Sequence, residues 1–404
     1  MPRVMRLEVM AVDLPFHRRF RHAAAARNSS ESLFVKCVTD AATVGFGESL
    51  PREYVTDETR DDAFVRLETM IFPHLVGQQF ESMDEVYEFL WLCDGKAPAA
   101  WISADTPQLA AWCAVDLALL DAFGHAFRES VRVGTARDAG SHGPTKDSSI
   151  RYGAVVSADA AWRFRWSLLK LRLYGIKDIK LKVDGDPLPW ARVARKILGP
   201  EANLRIDANM AWDANQALHH LRALKPLDIH CVEQPLEANN LEDGAWLVRE
   251  SEAEVIADEG FTDAASLRAL VDWCACRGVS VRISKCGGLV AAARRCEEAR
   301  DAGLVLQVGC QVGESSLLSA AQRILLTGIE PPKYLEGCYG RHLLGEDPVL
   351  PVLQVGYAGR PPQLPGGPGL GVKVDEAKLK RCVSRHALVE RAPRRSERKE
   401  SCRL

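Results

Sequence analysis

Six predicted strand ends between residues 180 and 314 carry charge at nearly equal steps. Lys180 and Lys182 flank Leu181 in IKLKVD, Asp207 ends LRIDAN, and Glu233 ends IHCVEQP. Asp258 lies in VIADEG, Lys285 in VRISKCGG, and Glu314 follows LQVGCQVG. From Lys182 onward the steps are 25, 26, 25, 27 and 29 residues. Three carboxylates that converge would repel one another in a partly buried site unless a cation sat between them. Oxygen-only ligation favours Mg²⁺, or Mn²⁺, over zinc, which prefers nitrogen and sulfur. A substrate carboxylate at such a metal acidifies the adjacent C–H bond. A lysine on one face then removes that proton to give an enediolate, and a second lysine completes an acid/base pair.

Taken singly, each of these residues has a bland reading. An Asp at a strand end more often caps the following helix, and Lys180 reads as a surface lysine. Cys286 and Cys310 read as small core residues, and His219–His220 sits in a helix. The common frame is what tells against six independent accidents, because each step equals one strand, one helix and two loops.

That frame demands repeated strand–helix units. Apolar strands at Ile179–Val183, Leu204–Ile206, Ile229–Val232, Val255–Ala257, Val281–Ile283 and Leu304–Val308 alternate with helical periodicity. Tyr152–Val156 and Tyr334–Leu335 bring the strands to eight, which predicts a (β/α) barrel of the TIM type with the charges on its C-terminal rim. A doubly wound sheet is the runner-up, but no glycine-rich nucleotide loop follows the first strand. Residues 1–133 read as an α+β capping domain. Strands are expected at Val4–Leu14 and Leu33–Thr39, an exposed loop at Pro15–Ser32, and helices from Thr56 to Phe127. Residues 134–150 read as a linker, 151–360 as the barrel, 361–384 as a segment returning to the capping domain, and 385–404 as a disordered basic tail.

Composition narrows the class without naming an activity. The 404 residues are 47% hydrophobic and 26% charged, with a net charge of −2. That balance gives no reason to expect nucleic acid or a membrane surface as partner. The 12 cysteines show no CxxC spacing, and the start of the chain lacks a charged-then-apolar leader. Reduced thiols and a cytoplasmic location are therefore expected.

The combined motifs resemble the enolase superfamily, specifically its muconate-lactonizing-enzyme subgroup, from about residue 4 to about residue 380. The resemblance implies a catalytic barrel with an N-terminal capping domain and a Mg²⁺ site at Asp207 of DAN, Glu233 of EQP and Asp258 of ADE. It implies Lys182 of the KLK element as a base, Lys180 as a supporting cation, and Lys285 of KCGG as the lysine on the opposite face. Glu314 of the ES element, Asn209, and Arg21 and His22 of the Phe16–Ala26 loop become candidate substrate contacts. The GFGES turn, with Glu48 and Arg52, is expected to help close the site. The absence of His in Val308–Val312 argues against sugar-acid dehydratases. Leu335–Tyr339 lacks the Asp-x-Asp element of dipeptide epimerases, with Glu336 as a partial substitute.

With both lysines present, the leading expectation is a racemase or epimerase of an acylated amino acid or related acid. The alternatives are a muconate-type cycloisomerase and a syn-dehydratase of the o-succinylbenzoate-synthase type, with a non-catalytic binding protein a distant third. The expected partners are a small carboxylate substrate and further copies of the same chain.

Overall fold

The computed structural model describes the chain except for residues 23–24, 104, 134–148, 230, 364 and 392–404, and except for the side chains of 18–26. Most of the 134–150 linker therefore lies outside the described residues.

The N-terminal module is built on a four-stranded antiparallel sheet. Its strands come from β1 (Val4–Val12), β4 (Ser32–Thr39), β5 (Val44–Ser49) and β16 (Val383–Glu390), in the order β16-β1-β4-β5. A hairpin of β2 (Pro15–His22) and β3 (Ala25–Ser29) projects from it, so Pro15–Ser32 is not the loop the sequence suggested. The Arg- and Ala-rich stretch carries no period-2 alternation that could have revealed these strands in the sequence. Helices α1 (Glu53–Thr56), α2 (Arg60–Arg66), α3 (Phe72–Leu75), α4 (Met83–Cys93) and α5 (Leu109–Phe127) cover one face.

By length and composition α5 could cross a membrane, but 89% of its window is buried inside the molecule. It is the core helix of the module. Gly45 and Gly47 make its packing possible: a Cβ would lie 2.0 Å from the Ala122 nitrogen at the first and 1.9 Å from the Ala114 oxygen at the second. The first turn of α5 is held by Glu58, whose two carboxyl oxygens accept from the Ala110 and Ala111 amides at 2.6 and 3.0 Å.

The second unit alternates β6 (Ala154–Ser157), α6 (Ala161–Leu173), β7 (Asp178–Lys182), α7 (Leu188–Leu198), β8 (Asn203–Asp207), α8 (Ala214–Leu224), β9 (Cys231–Glu233) and α9 (Leu241–Ser251). It continues with β10 (Glu254–Ala257), α10 (Ala264–Asp272), β11 (Gly278–Val281), α11 (Leu289–Asp301), β12 (Val305–Val308), α12 (Ser316–Gly328) and β13 (Tyr334–Leu335). The eight strands pair in sequence order, all parallel. The Gly153 amide donates to the Leu335 carbonyl at 2.8 Å and joins the first strand to the last. Asp213 and Asp263 start α8 and α10 as capping boxes, a local signal that resets the chain after each rim loop.

One expected strand is displaced. β11 runs Gly278–Val281 rather than Val281–Ile283, so Arg282 is the first residue to leave the sheet. After α13 (Gly340–Leu343), β14 (Val349–Leu350) pairs with β15 (Lys373–Val374), and α14 (Glu376–Arg381) leads into β16. β16 pairs antiparallel with β1 from Arg6↔Glu390 to Val12↔Val383. The expected disordered tail is thereby corrected: residues 383–390 are an edge strand of the capping sheet, and 392–404 lie outside the described residues. Its half-buried alternation, with Val383, Ala387 and Val389 packed on the core, was masked in the sequence by Arg385, His386 and Glu390.

Candidate functional site

Side chains alternate across a strand, so residues two apart share a face. Lys180 and Lys182 on β7, and Arg205 and Asp207 on β8, therefore point into the barrel together. The register aligns Lys182 with Asp207 and Asp207 with Glu233. Asp258 is the first residue after β10, and Arg282 the first after β11. Beneath this rim lies an inner layer of Lys180, Arg205, Ser280 and Gln307, all buried.

The inner layer is an ion network. The Lys180 ammonium lies 2.7 Å from Glu336 Oε2, 2.8 Å from Glu233 Oε2 and 3.4 Å from Asp207 Oδ2. Burial works against its charge, yet Glu233, Glu336 and Asp207 hold it above the ordinary lysine range. Arg205 donates to Glu336 Oε1 at 2.8 Å and to Gln307, and lies over the Tyr334 ring at 4.3 Å. Lys180 is thus no surface residue. Glu336, expected to meet substrate, is instead held below the usual carboxylate range: burial pushes it up, but Lys180 and Arg205 outweigh that push.

On the rim, Lys182 Nζ lies 2.9 Å from Asp207 Oδ2 and donates to Asn209 Oδ1 at 2.8 Å. Asn209 in turn donates to Glu259 Oε1 at 3.2 Å. Burial raises Asp207, but Lys182 and Lys180 carry it well below the carboxylate range. Burial, with Asp207 nearby, moves Glu259 the other way. Asn209, Met210 and Gln234 adopt φ of 45°, 62° and 36°, a left-handed backbone that non-glycine residues hold only where the surroundings enforce it. Gln234 Oε1 accepts from the Asp258 and Gly260 amides at 2.8 and 3.1 Å and locks the β10 rim.

The sixth strand departs from expectation. Lys285 sits in the turn beyond β11, and its side chain is 0% exposed. Its ammonium donates to Asp258 Oδ1 at 2.9 Å, to the Asp258 carbonyl at 2.6 Å and to the Ser280 carbonyl at 2.7 Å. Burial, with Arg282 beside it, pulls Lys285 down to about 7. Lys285 thus ties the ends of β10 and β11 together, and its ammonium reaches Asp258, one of the three candidate metal carboxylates. Arg282, which the sequence reading passed over, takes the rim position. Its guanidinium contacts Asp258 Oδ2, lies 3.7 Å from Glu233 Oε1 and donates to Gln311 Oε1 at 3.0 Å. The glycines of KCGG seat the capping domain: a Cβ on Gly288 would lie 2.3 Å from Asp116 Cγ, and Asp116 accepts from the Leu289 amide at 2.7 Å.

Glu314 accepts from the Gln311 amide at 2.6 Å, and burial pushes its carboxyl up to about 7, with Arg282 and Arg52 drawing it back. Glu48 ties the capping sheet to the rim. Its carboxyl accepts from the Ser315 amide at 3.1 Å, from Ser315 Oγ at 2.5 Å and from the Leu318 amide at 3.4 Å. Arg52 is buried on the carbonyls of Ser30 and Val312 at 2.7 and 3.1 Å, so it braces the closure. Arg21 and His22 lie on β2, in register with Ala26 and Ala25, with side chains outside the described residues. The foot of that hairpin meets the barrel side, where the Gly345 amide donates to the Pro15 carbonyl at 2.7 Å.

Asp207, Glu233 and Asp258 suit a hard divalent cation in donor chemistry. All three are buried, and Asp207 Oδ2 and Glu233 Oε1 have no hydrogen-bond partner beyond their ion pairs among the described residues. In this conformation the carboxylates are separated by Lys180, Lys182, Arg282 and Lys285. Among the described residues no three acidic, His or Cys groups stand together as a ready cluster. Arg282 therefore competes for the oxygens a cation would use.

A family model described as enolase C-terminal domain-like matches residues 167–378, more than half of the chain. The chain is 28% identical to an L-Ala-D/L-Glu epimerase of Clostridium acetobutylicum, covering 78% of this chain and 86% of the relative. It is 24% identical to an N-succinyl-L-Arg/Lys racemase of Bacillus cereus (93% and 97%) and 25% identical to a chloromuconate cycloisomerase of Cupriavidus pinatubonensis (92% and 96%). The crystal structure of the N-succinyl Arg/Lys racemase from Bacillus cereus superposes with a TM-score of 0.83 at 22% identity, covering 96% and 100% of the two chains. A dipeptide epimerase from Cytophaga hutchinsonii, complexed with Mg and D-Ala-L-Val, gives 0.80 at 20% identity, with the same coverage.

Proposed function

The chain belongs to the enolase superfamily through its enolase C-terminal-like domain, and on that premise we propose that it is an isomerase that removes the proton next to a substrate carboxylate. Asp207, Glu233 and Asp258 would hold Mg²⁺, whose Lewis acidity would acidify that C–H bond. Lys182 is the base. It ends β7 at the barrel mouth, and its side chain, 13% exposed, is the most open of the lysines in the cluster. That placement is the observation that carries the reading. Lys182 takes the proton at Nζ, and Asn209 and Asp207 fix the ammonium that results. Lys180, closed off beneath, pairs with Glu233 and helps to keep Asp207 ionised. The capping module, joined through Glu48 and Arg52, excludes water.

The relatives suggest the substrates to try: N-succinyl amino acids, dipeptides and muconate-type acids. We place the protein in the cytoplasm, as a homo-oligomer acting on a small molecule. The test is incubation with these acids in D₂O with Mg²⁺, read by mass spectrometry. Deuterium should enter at the carbon beside the carboxylate, and Lys182→Ala should slow entry at least 100-fold. Equal exchange by Lys182→Ala and the parent, or no exchange with any acid, would refute it.

A further inference from the structure

We propose that the outer face of α6 seats a second copy of this chain, the two α6 helices lying antiparallel about a two-fold axis. This rests on the homo-oligomer reading and names its surface; it is independent of the chemistry at the barrel mouth.

The face leaves much apolar surface in water. Phe164 and Leu168 turn inward, and Phe164 meets Trp190 of α7 edge-on with ring centres 5.0 Å apart. The opposite side carries Trp162, Trp166, Leu169 and Leu173, which are 68%, 58%, 41% and 81% exposed. Tyr174 and Tyr357, whose rings meet at 5.8 Å, continue the strip past the end of the helix. The four aromatic residues alone leave roughly 450 Å² in water, at about 150–250 Å² for a whole side chain. With the two leucines, the patch reaches the upper end of the ~300–600 Å² that a typical monomer shows. It supplies most of the roughly 800 Å² per partner that a standard interface buries.

The order of the residues selects a second copy as the occupant. From Trp162 to Leu173 the steps are four, three and four, the seam of a heptad, and they read the same from either end. Laid antiparallel, Trp162 of each copy falls opposite Leu173 of the other, and Trp166 opposite Leu169. Every large ring then meets a smaller side chain, and such self-complementarity is what a two-fold interface requires. The helix dipoles oppose one another, and Asp159, exposed just ahead of the helix, comes beside the basic last turn of the other copy, with its Lys170 and Arg172. The chain's own 392–404 segment is net basic in sequence and would meet like charge on this face.

The flanking cations set the salt dependence. Arg163 and Lys170 line one edge of the strip and Arg165 and Arg172 the other, all exposed. In an antiparallel pair like edges meet, so four cation–cation pairs form. Exposed pairs of that kind cost about twofold each in affinity, against ~30-fold or more for truncating a tryptophan at the centre of an interface. The rings win, and salt, by screening the cations, should tighten the pair.

The test is sedimentation equilibrium of the full-length protein at low and high NaCl, beside Trp166→Gln and the double variant Arg163→Glu/Arg165→Glu. All three substituted positions are exposed, so melting temperatures should stay close to the parent's. Trp166→Gln should weaken association at least ~30-fold and halve the number of chains in the assembly. The double variant turns all four like-charge pairs into opposite ones. It should tighten association at least about tenfold and make salt loosen it. A parent that stays monomeric at every concentration would overturn the proposal and the homo-oligomer reading together. A parent oligomer that Trp166→Gln leaves intact would overturn the α6 face alone. A monomer that sediments with phosphatidylglycerol vesicles and is released by salt would overturn it in favour of an anionic membrane surface.

Discussion

Glu48→Gln tests whether the capping sheet is joined to the barrel rim by a neutral acid. Glu48 is fully buried, and burial pushes its carboxyl from 4.5 up to about 8, with the Ser315 hydroxyl and amide drawing it back. The folded protein therefore holds a proton that the unfolded chain releases between these values. Stability from this group is fully present below pH 4.5 and is lost as pH rises through 8. From pH 6 to pH 9 the wild type should lose about 3 kcal/mol through Glu48, at ~1.4 kcal/mol per unit over roughly two units. Glutamine mimics the neutral acid and keeps one acceptor for Ser315. Its own cost at pH 6 should be about 1 kcal/mol, the worth of one ordinary hydrogen bond. Scanning calorimetry of both proteins from pH 5 to pH 9 is the assay. The melting-temperature gap should close and then reverse by several degrees, at roughly 2 °C or more per kcal/mol. Parallel curves across that range would refute the reasoning, because Glu48 would then be ionised in the folded state throughout.

Four further outcomes are expected. Lys180→Met leaves Glu233, Glu336 and Asp207 facing one another in the interior and should cost ~3–5 kcal/mol in urea denaturation, with little dependence on salt. Glu58→Ala strips the acceptors from the Ala110 and Ala111 amides at the start of α5 and should cost about 2–4 kcal/mol, measured the same way. A chain ended at Cys382 lacks β16 and exposes the β1 edge. It should melt lower and aggregate by light scattering, whereas a chain ended at Arg391 should match the full length. Mg²⁺ at about 100 times its Kd should stabilise the protein by ~2.7 kcal/mol, and Asp207→Asn should abolish that gain in thermal melts.

The barrel rim was open to reading because its signal is periodic. Lys182, Asp207 and Glu233 each end a strand, and one strand–helix unit separates each from the next, so the interval alone places them at one height. At the sixth strand the interval does not choose: Asp258 to Lys285 is 27 residues and Asp258 to Arg282 is 24, equally far from the 25 and 26 before them. Arg282 shares parity with Ser280, whose hydroxyl accepts from Gln307 inside the barrel, while Lys285 has the other parity.

What decides between them is where β11 ends, at Val281, and that depends on how far its neighbours pair with it. Partners far apart in sequence were equally out of reach. Glu336 meets Arg205 across 131 residues and Glu48 meets Ser315 across 267. β16 finds β1 only after the whole barrel has been built between them. Local pattern sets which face a residue takes and how far along the barrel it lies. Which opposite charge neutralises it is settled only when strands from different parts of the chain come to lie side by side. The cost of burying a charge is offset by whichever partner the tertiary structure brings within reach.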